Sequence, residues 1–432
     1  MMTLSVWIER NGTMIPVGSI SGNDSSDSQF QYSPDYLKDP AASAISISLP
    51  LKEQSYSPAQ TVNFFEGLLP EGFTRRSVAQ WLHVDEGDYL SILSALGREC
   101  LGAICITEES ETQEASYELV SERQVQELAA EGAAKSVELV TKSHLSLTGA
   151  TGKVGLYYAE HENAWYLPHG TAPSTHIVKQ SHVRLDAIVT NEQLSMMTAK
   201  RCGISIPNSF IINTGRGAEH EVLFATQRFD RVLPDDPCPV SGLPRPLRLH
   251  QEDFAQALGI PASAKYEREP KDYMKRLFDL LRKYSSDPIT DQLQLWDTIV
   301  FDFLIGNTDA HIKNFSLLYS PDLRSIRLAP VYDIISTTVY DQSTRDMAFH
   351  IGGDLSIDSI TEDSFRRAAK EIGLGVRMAM RRFESIRNQF RSSLRQSAEE
   401  LAAAGYSKAL EKEQQILQSG GFGKIKYNNR SI

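Results

Sequence analysis

The period of the apolar residues changes along the chain, and that change limits the layers it can build. Up to about residue 230, short runs alternate every second residue. Examples are LSVWIERNG and SAISISLPL, where Ile45, Ile47 and Leu49 would share one strand face. From about residue 250 the spacing is that of amphipathic helices, as in DYMKRLFDLLRKY, QLQLWDTIVFDFLI and RQSAEELAAAGYSKALEKEQQIL. A chain of 432 residues is too long for one core, so the two regimes imply an α+β organisation of two or three domains.

Three blocks follow. Residues 1–135 read as a small α/β domain, in which the strands are followed by the helix-spaced NFFEGLLPEGFTRRSVAQWL and the turn-rich SGNDSSDS of 21–28 is a surface loop. Residues 136–230 read as a small sheet carrying one helix: AWYLP, THIVKQ, SFIIN and VLFATQRF are strand-like, and TNEQLSMMTAKRCGI is helical. The Gly-rich NTGRGAEHE between the last two strands predicts a hairpin. Residues 231–432 are mostly helical, entered through a proline-rich linker at 230–250, and the tail 419–432 is expected to fray.

Composition narrows the function classes. Hydrophobic content of 41% and charged content of 23% belong to an ordinary water-soluble globular chain. A net charge of −11 argues against gripping nucleic acid directly, because phosphates call for an excess of Lys and Arg. The basic stretch MRRFESIRNQFRSSLR at 380–395 reads as a solvated helix face. Cys100, Cys105, Cys202 and Cys238 lack the short paired spacing of a zinc site or a disulfide framework, which fits a reducing compartment. The N-terminus has neither a basic segment nor a long apolar run, and no later run reaches membrane-spanning length. A cytoplasmic protein without membrane partners is expected.

The stretch GNTDAHIKNFS, 306–316, concentrates polar chemistry directly after an apolar, helix-spaced run. Asp309 precedes Asn314 by five positions. Protein kinases place a catalytic aspartate and a magnesium-binding asparagine at that separation; the aspartate accepts the proton of the attacking hydroxyl. Asp333, flanked by Val331, Tyr332, Ile334 and Ile335, can supply a second metal-binding carboxylate, since an enclosed charge calls for a partner. A helix C-terminus followed by an Asx turn would explain the same glycine and asparagine. Upstream, SLTGATGKVG at 146–155 has three glycines that let backbone N–H groups approach phosphate, without the spacing of an NTPase P-loop. Lys179 in THIVKQ can meet a nucleotide phosphate from a strand, with Glu192 of the next helix as its ion-pair partner; a solvent-facing lysine is the plain alternative. Order favours chemistry: Gly-rich loop, lysine, hinge, Asp-x4-Asn and aspartate follow one another as a kinase requires.

Six segments carry a resemblance: LSLTGATGK, THIVK, ATQRFDR, HQEDFAQALGIPASAKYE, FDFLIGNTDAHIKNFSLLY and LAPVYDIIS. They are similar to the HipA family of bacterial serine/threonine kinases, the toxin partners of HipB-type antitoxins. NFFEGLLPEG and GRECLGAI resemble that family's extra N-terminal domain. The resemblance implies a bilobal, protein-kinase-like α+β fold with an extra N-terminal α/β domain and a mostly helical C-terminal catalytic lobe. It implies Asp309 as catalytic base, His311 and Lys313 as shapers of the catalytic loop, and Asn314 with Asp333 as holders of Mg2+; His311 could equally be a structural histidine. ATP would meet the loop of Thr148, Gly149, Ala150, Thr151, Gly152 and Lys153, then Lys179 with Glu192, and an adenine hinge of Thr226, Gln227, Arg228, Phe229 and Asp230. Thr151 and Gly152 stand where the family loop more often has an amide and an acid.

Ser146 matches the family's autophosphorylation serine, whose phosphate would add negative charge beside the ATP cradle and inactivate the enzyme. The implied activity is phosphorylation of a translation-related protein such as an aminoacyl-tRNA synthetase. The implied partner is a dimeric helix-turn-helix antitoxin that neutralises the kinase and reads operator DNA. A lipid or small-molecule kinase on the same fold and a catalytically silent co-repressor stay open at this point.

Overall fold

Strand β1 (Met2–Arg10) turns at Asn11 and Gly12, both with positive φ (51° and 81°), into β2 (Thr13–Gly22). An Asn-Gly pair suits a two-residue hairpin because both positions tolerate that conformation and its twist matches the strands. The computed structural model describes residues 1–108, 114–131, 135–136, 138–139, 152–180, 185–215 and 221–425. It shows an α+β fold in two units: Met1–His182, Phe210–Ala262 and Ser316–Ile326 form one, and Val183–Ser209, Ser263–Phe315 and Arg327–Ile432 the other.

In the first unit, β3 (Gln29–Tyr32) and β4 (Ile104–Glu108) complete a sheet in the order β3-β2-β1-β4. Leu4, Val6 and Ile8 fill one face, as the alternation predicts. SAISISLPL is not a strand: only an isolated bridge joins Ser46 to Leu49. Ser46 Oγ and the Ile47 N–H bond the buried carboxylate of Glu252 (2.5 and 3.1 Å), so the Ile47 N–H is taken by a side chain instead of a neighbouring strand. Ile45 and Leu49 are still fully buried, so the apolar pattern is satisfied by a turn.

A second sheet runs in the order β5-β7-β6-β8-β10-β9, with β5 (Ser116–Val120), β6 (Lys153–Ala159), β7 (Ala164–His169), β8 (His176–Gln180), β9 (Ser209–Asn213) and β10 (Val222–Gln227). Val154, Leu156, Val178, Leu223 and Ala225 form its core with Leu128, Trp165 and Leu167. Strand β5 and the helix Glu122–Glu131 belong to this layer, so a boundary at 135 would cut through it.

In the second unit the helix Pro288–Ile305 starts at an Asp287 cap, exposes Ile289 in its first turn, and is buried on every side from Leu295 onward; Leu295, Trp296, Val300, Phe303 and Leu304 are all inaccessible. Tyr273–Tyr284 and Val376–Ala403 pack against it, and Trp296 Nε1 donates to the Ala379 carbonyl at 3.0 Å. Val376–Ala403 also packs on the helices Ile188–Arg201 and Lys408–Ser419. The described tail, to 425, is packed: a Cβ on Gly421 would lie 2.5 Å from the Phe303 carbonyl oxygen, and Lys424 pairs with Asp358 at 2.9 Å. Glycine lets the main chain lie directly on the central helix.

The first unit holds a buried ion cluster. Glu99 meets Arg231 (2.9 Å), Arg228 (3.2 Å) and Arg248 (2.7 Å); Asp230 meets Arg228 (2.8 Å); Glu9 meets Arg245 (2.6 Å) and Arg248 (3.2 Å). Burial alone would raise the Glu99 carboxyl, but the charges of Arg231, Arg248 and Arg228 hold it down to about 2. Glu99→Gln should destabilise the unit by about 3–5 kcal/mol, measured by chemical denaturation, because the arginines stay buried without their anion. A carboxyl lowered from 4.5 to about 2 stabilises fully above pH 4.5 and loses that contribution as pH falls towards 2. The wild type should therefore lose stability steeply across that window and Glu99→Gln less steeply; parallel acid profiles would contradict this.

Candidate active site

Gly306 (φ 78°) ends the Pro288–Ile305 helix in the left-handed conformation, its N–H donating to the carbonyls of Asp302 and Phe303. A Cβ there would sit 2.1 Å from Thr338 Oγ1, so both the dihedral and the neighbour demand glycine. The Gly306 carbonyl accepts from the N–H groups of Thr337 (3.0 Å) and Thr338 (3.1 Å) and from Thr337 Oγ1 (3.0 Å). Thr308 adds its own N–H to Thr337 Oγ1 at 2.8 Å. These bonds staple the Asp309 loop to the segment that carries Asp333.

Asn307 shapes the turn. Its Nδ2 donates to Asp302 Oδ1 at 2.9 Å, and its Oδ1 accepts the N–H of Asp309 at 3.2 Å. The backbone is thus an Asx turn, and that turn presents Asp309 exposed to solvent. Asp302 is buried beneath it, and burial pushes its carboxyl up to about 7 against the Asn307 bond. Asn314 donates Nδ2 to the Asp309 carbonyl at 2.9 Å, which leaves its amide oxygen as the atom suited to a cation.

Two residues not assigned a role by spacing complete this site. The Tyr266 hydroxyl donates to Asp309 Oδ1, and the Lys265 carbonyl accepts the Ile312 N–H at 3.4 Å. Both sit beside Glu267, whose buried carboxylate takes the N–H groups of Lys271 (2.7 Å), Tyr273 (3.0 Å) and His350 (2.8 Å) and the His350 ring at 3.0 Å. Burial would raise Glu267; the bonds from His350, Tyr273 and Lys271 outweigh it and hold the carboxyl below its usual value. The only signal in the sequence was the KYE at the end of the quoted HQEDFAQALGIPASAKYE.

Asp333 adopts a left-handed backbone (φ 55°), which Asp tolerates better than most residues. The adjacent Tyr332 hydroxyl donates to the Lys313 carbonyl at 3.0 Å. His311 is buried, stacked edge-on against Tyr266 with ring centroids 5.1 Å apart, and its Nδ1 has no hydrogen-bond partner. Burial holds its pKa well below 6.5; the nearby Lys265 and Lys313 ammonium groups push the same way and the Asp333 carboxylate opposes them. A neutral, enclosed imidazole shapes the loop and packs Tyr266; it is not placed to carry protons.

The donor set fits magnesium. The Asp333 carboxylate and the Asn314 amide offer oxygen, and among the described residues no three of His, Cys, Asp and Glu gather to hold a metal by themselves. Magnesium commonly takes one or two carboxylates and completes its shell with substrate phosphates and water.

The residues expected to meet the nucleotide lie in the first unit, Glu192 excepted. Lys153 and Lys179 stand directly opposite each other on β6 and β8, and Phe224 opposes Lys179 on β10 with the ammonium 5.5 Å from its ring centroid. The pairing places two ammonium-bearing side chains on one face of the sheet. Gly152 admits no side chain without displacement: a Cβ would lie 2.3 Å from Gln180 Nε2. Thr148, Gly149, Ala150, Thr151 and Ser146 lie outside the described residues. Thr226 is buried and Gln227 exposed. Arg228 and Asp230, expected at the adenine hinge, spend their side chains in the ion cluster, so a nucleotide contact there falls to main-chain atoms. Glu192 is a buried residue of the Ile188–Arg201 helix, in the second unit, whereas Lys179 is in the first.

Comparison with known proteins bears on this geometry. A family model of the HipA-like C-terminal domain matches residues 145–396, and one of the HipA N-terminal domain matches residues 4–107. The putative kinase Y4mE of Sinorhizobium fredii is 33% identical over 380 residues, 86% of each chain. The serine/threonine-protein kinase toxin HipA of Shewanella oneidensis is 30% identical over 382 residues, 83% of this chain and 81% of that one. Among solved structures, a chain of the Shewanella oneidensis HipA, HipB and operator DNA complex has the same fold, with a TM-score of 0.77 over 96% of both chains at 24% identity.

Two outcomes follow from the loop. His311 should remain neutral well below pH 6.5, read by ring-nitrogen NMR, and a titration near its ordinary 6.5 would contradict its burial. Gly306→Ala should lower the stability of the second unit by about 2 kcal/mol or more, with partial recovery in the Gly306→Ala/Thr338→Ala double variant.

Proposed function

This chain belongs to the HipA family of kinases, and from that premise we propose that it transfers the γ-phosphoryl group of ATP to a serine or threonine hydroxyl of a protein. The observation that carries this reading is the stapled pair of segments in the second unit: Asp309 exposed on an Asx turn, Asn314 locked to its carbonyl, and Asp333 close enough to act on His311. Asp309 would orient the acceptor hydroxyl and take its proton as the oxygen bonds phosphorus and the bond to the bridging oxygen of ADP breaks. Tyr266, donating to Asp309 Oδ1, would fix the rotamer of the carboxylate that meets the acceptor. Magnesium, bound by Asn314 and Asp333, would neutralise phosphate charge. Lys179 and Lys153 would hold phosphate oxygens from the sheet, and the main chain of 226–230 would meet the adenine.

The relative from Shewanella oneidensis is a toxin, and its complex contains HipB and operator DNA. By analogy this kinase would act as the toxin of a two-component module, restrained by a helix-turn-helix antitoxin that does the base reading. Its net charge of −11 supports leaving DNA to the partner. Its target would be a translation-related protein such as an aminoacyl-tRNA synthetase, and phosphorylation of Ser146 would switch it off. Among the described residues no helix is long and apolar enough to cross a membrane.

The test is the intact mass of phosphate-free protein before and after ATP and magnesium, beside Asp309→Asn. One added phosphate mapped to Ser146, and a rate at least about a thousandfold lower in the variant, is the expected result. Loss of the gain in wild type would favour a non-protein acceptor or a silent co-repressor.

A further inference from the structure

The second unit contains a cleft of about 520 Å³ beside the last turns of the Ile188–Arg201 helix. Its lining includes Gln193, Met197, Lys200 and Arg201, spaced i, i+4, i+7 and i+8 on one helix face, together with Ile206 and Pro207. None of these residues takes part in the chemistry assigned above.

Gln193 is the informative group. It is only 6% exposed, and its Nε2 donates to the Ser209 carbonyl at 3.2 Å. A carbonyl accepts only the N–H end of an amide, so the orientation is fixed and Oε1 is the atom left over. Among the described residues that oxygen has no hydrogen-bond partner, although it belongs to a residue lining an open cleft. A buried acceptor in this state calls for a donor from whatever fills the space. Met197, Ile206 and Pro207 supply an apolar wall. At the mouth, the charge of Arg201 is met by Glu400 (2.5 Å) and Ser397 (3.1 Å), while Lys200 is exposed and adds a second cation. The cleft therefore offers an acceptor at its buried end, an apolar middle and a net positive rim.

We propose that this cleft binds a peptide-type carboxylate: an amide N–H donating to Gln193 Oε1, an apolar side chain against Met197, Ile206 and Pro207, and a terminal carboxylate at Lys200. The seven-residue step from Gln193 to Lys200 is about 10 Å along the helix. The lysine stem leans back towards the helix N-terminus and shortens the gap to about one amino-acid residue. The C-terminal residue of a protein and a free N-acylated amino acid share this chemistry. The helix is also the one whose Asn191 Nδ2 donates to the Ser336 carbonyl at 2.8 Å, so an occupant would rest on the element that buttresses the Asp333 segment.

Full-length protein carrying 13C-labelled methionine methyls would be titrated with N-acetylleucine, its uncharged counterpart N-acetylleucinamide, and a ten-residue peptide ending in leucine. The Met197 signal is identified by Met197→Leu. The expected result is a saturable Met197 shift with N-acetylleucine, at least tenfold weaker binding of the amide, and a similar loss in Lys200→Ala, an exposed position that cannot disturb the fold. Gln193→Leu should abolish binding. Tenfold tighter binding of the peptide would identify a protein terminus as the occupant; equal binding would identify the free acyl amino acid. No saturable shift with any probe at millimolar concentration means that water alone meets Gln193, and overturns the proposal. Equal affinity for acid and amide, or an unchanged Lys200→Ala, overturns it as well. None of these readouts depends on kinase activity.

Discussion

The carbonyl oxygen of Gly306 holds the second unit together. Three donors from Thr337 and Thr338 converge on it, and the residue can be reached only because the Pro288–Ile305 helix ends there without a Cβ. One acceptor thereby fixes how the Asp333 segment lies against the end of the helix and the start of the Asx turn. From Leu295 to its end the central helix is enclosed on all sides, so it gives the loop a rigid base. Placing reactive groups at the end of a fixed element, with their own hydrogen bonds made beforehand, is how a protein avoids paying for alignment during a reaction.

Much of this could be read from the residues alone. Asp309, Asn314 and Asp333 announce themselves because their spacing is local, and the Asx turn needs only residues close in sequence. The Asx turn is present and is what displays the Asp309 carboxylate to solvent, so such a turn and a catalytic use of Asp309 do not exclude each other. The strands around Lys179 and the helices beyond 250 were legible for the same reason, since periodicity is a short-range signal.

The remainder depended on partners far along the chain. SAISISLPL alternates like a strand, but Glu252, over two hundred positions away, takes its donors and makes it a turn. Glu267, next to the Tyr266 that reaches Asp309, is bonded by the N–H and ring of His350, more than eighty positions away. Arg228 and Asp230 sit where a hinge was expected, and nothing nearby in the sequence shows that Glu99 claims the arginine. Strand β5 gave no hint that its sheet partner is β7.

The ion cluster around Glu99 also has a consequence for biosynthesis. A ribosome delivers Glu9 and Glu99 long before Arg228, Arg231, Arg245 and Arg248 emerge, and among the described residues these are the guanidinium groups that pair with the two carboxylates. Until about residue 248 has left the exit tunnel, Glu99 must stay hydrated or take up a proton, and the layer above it cannot close dry. The N-terminal module of this chain therefore matures late in its own translation, after the sheet that bears the lysines has already been made.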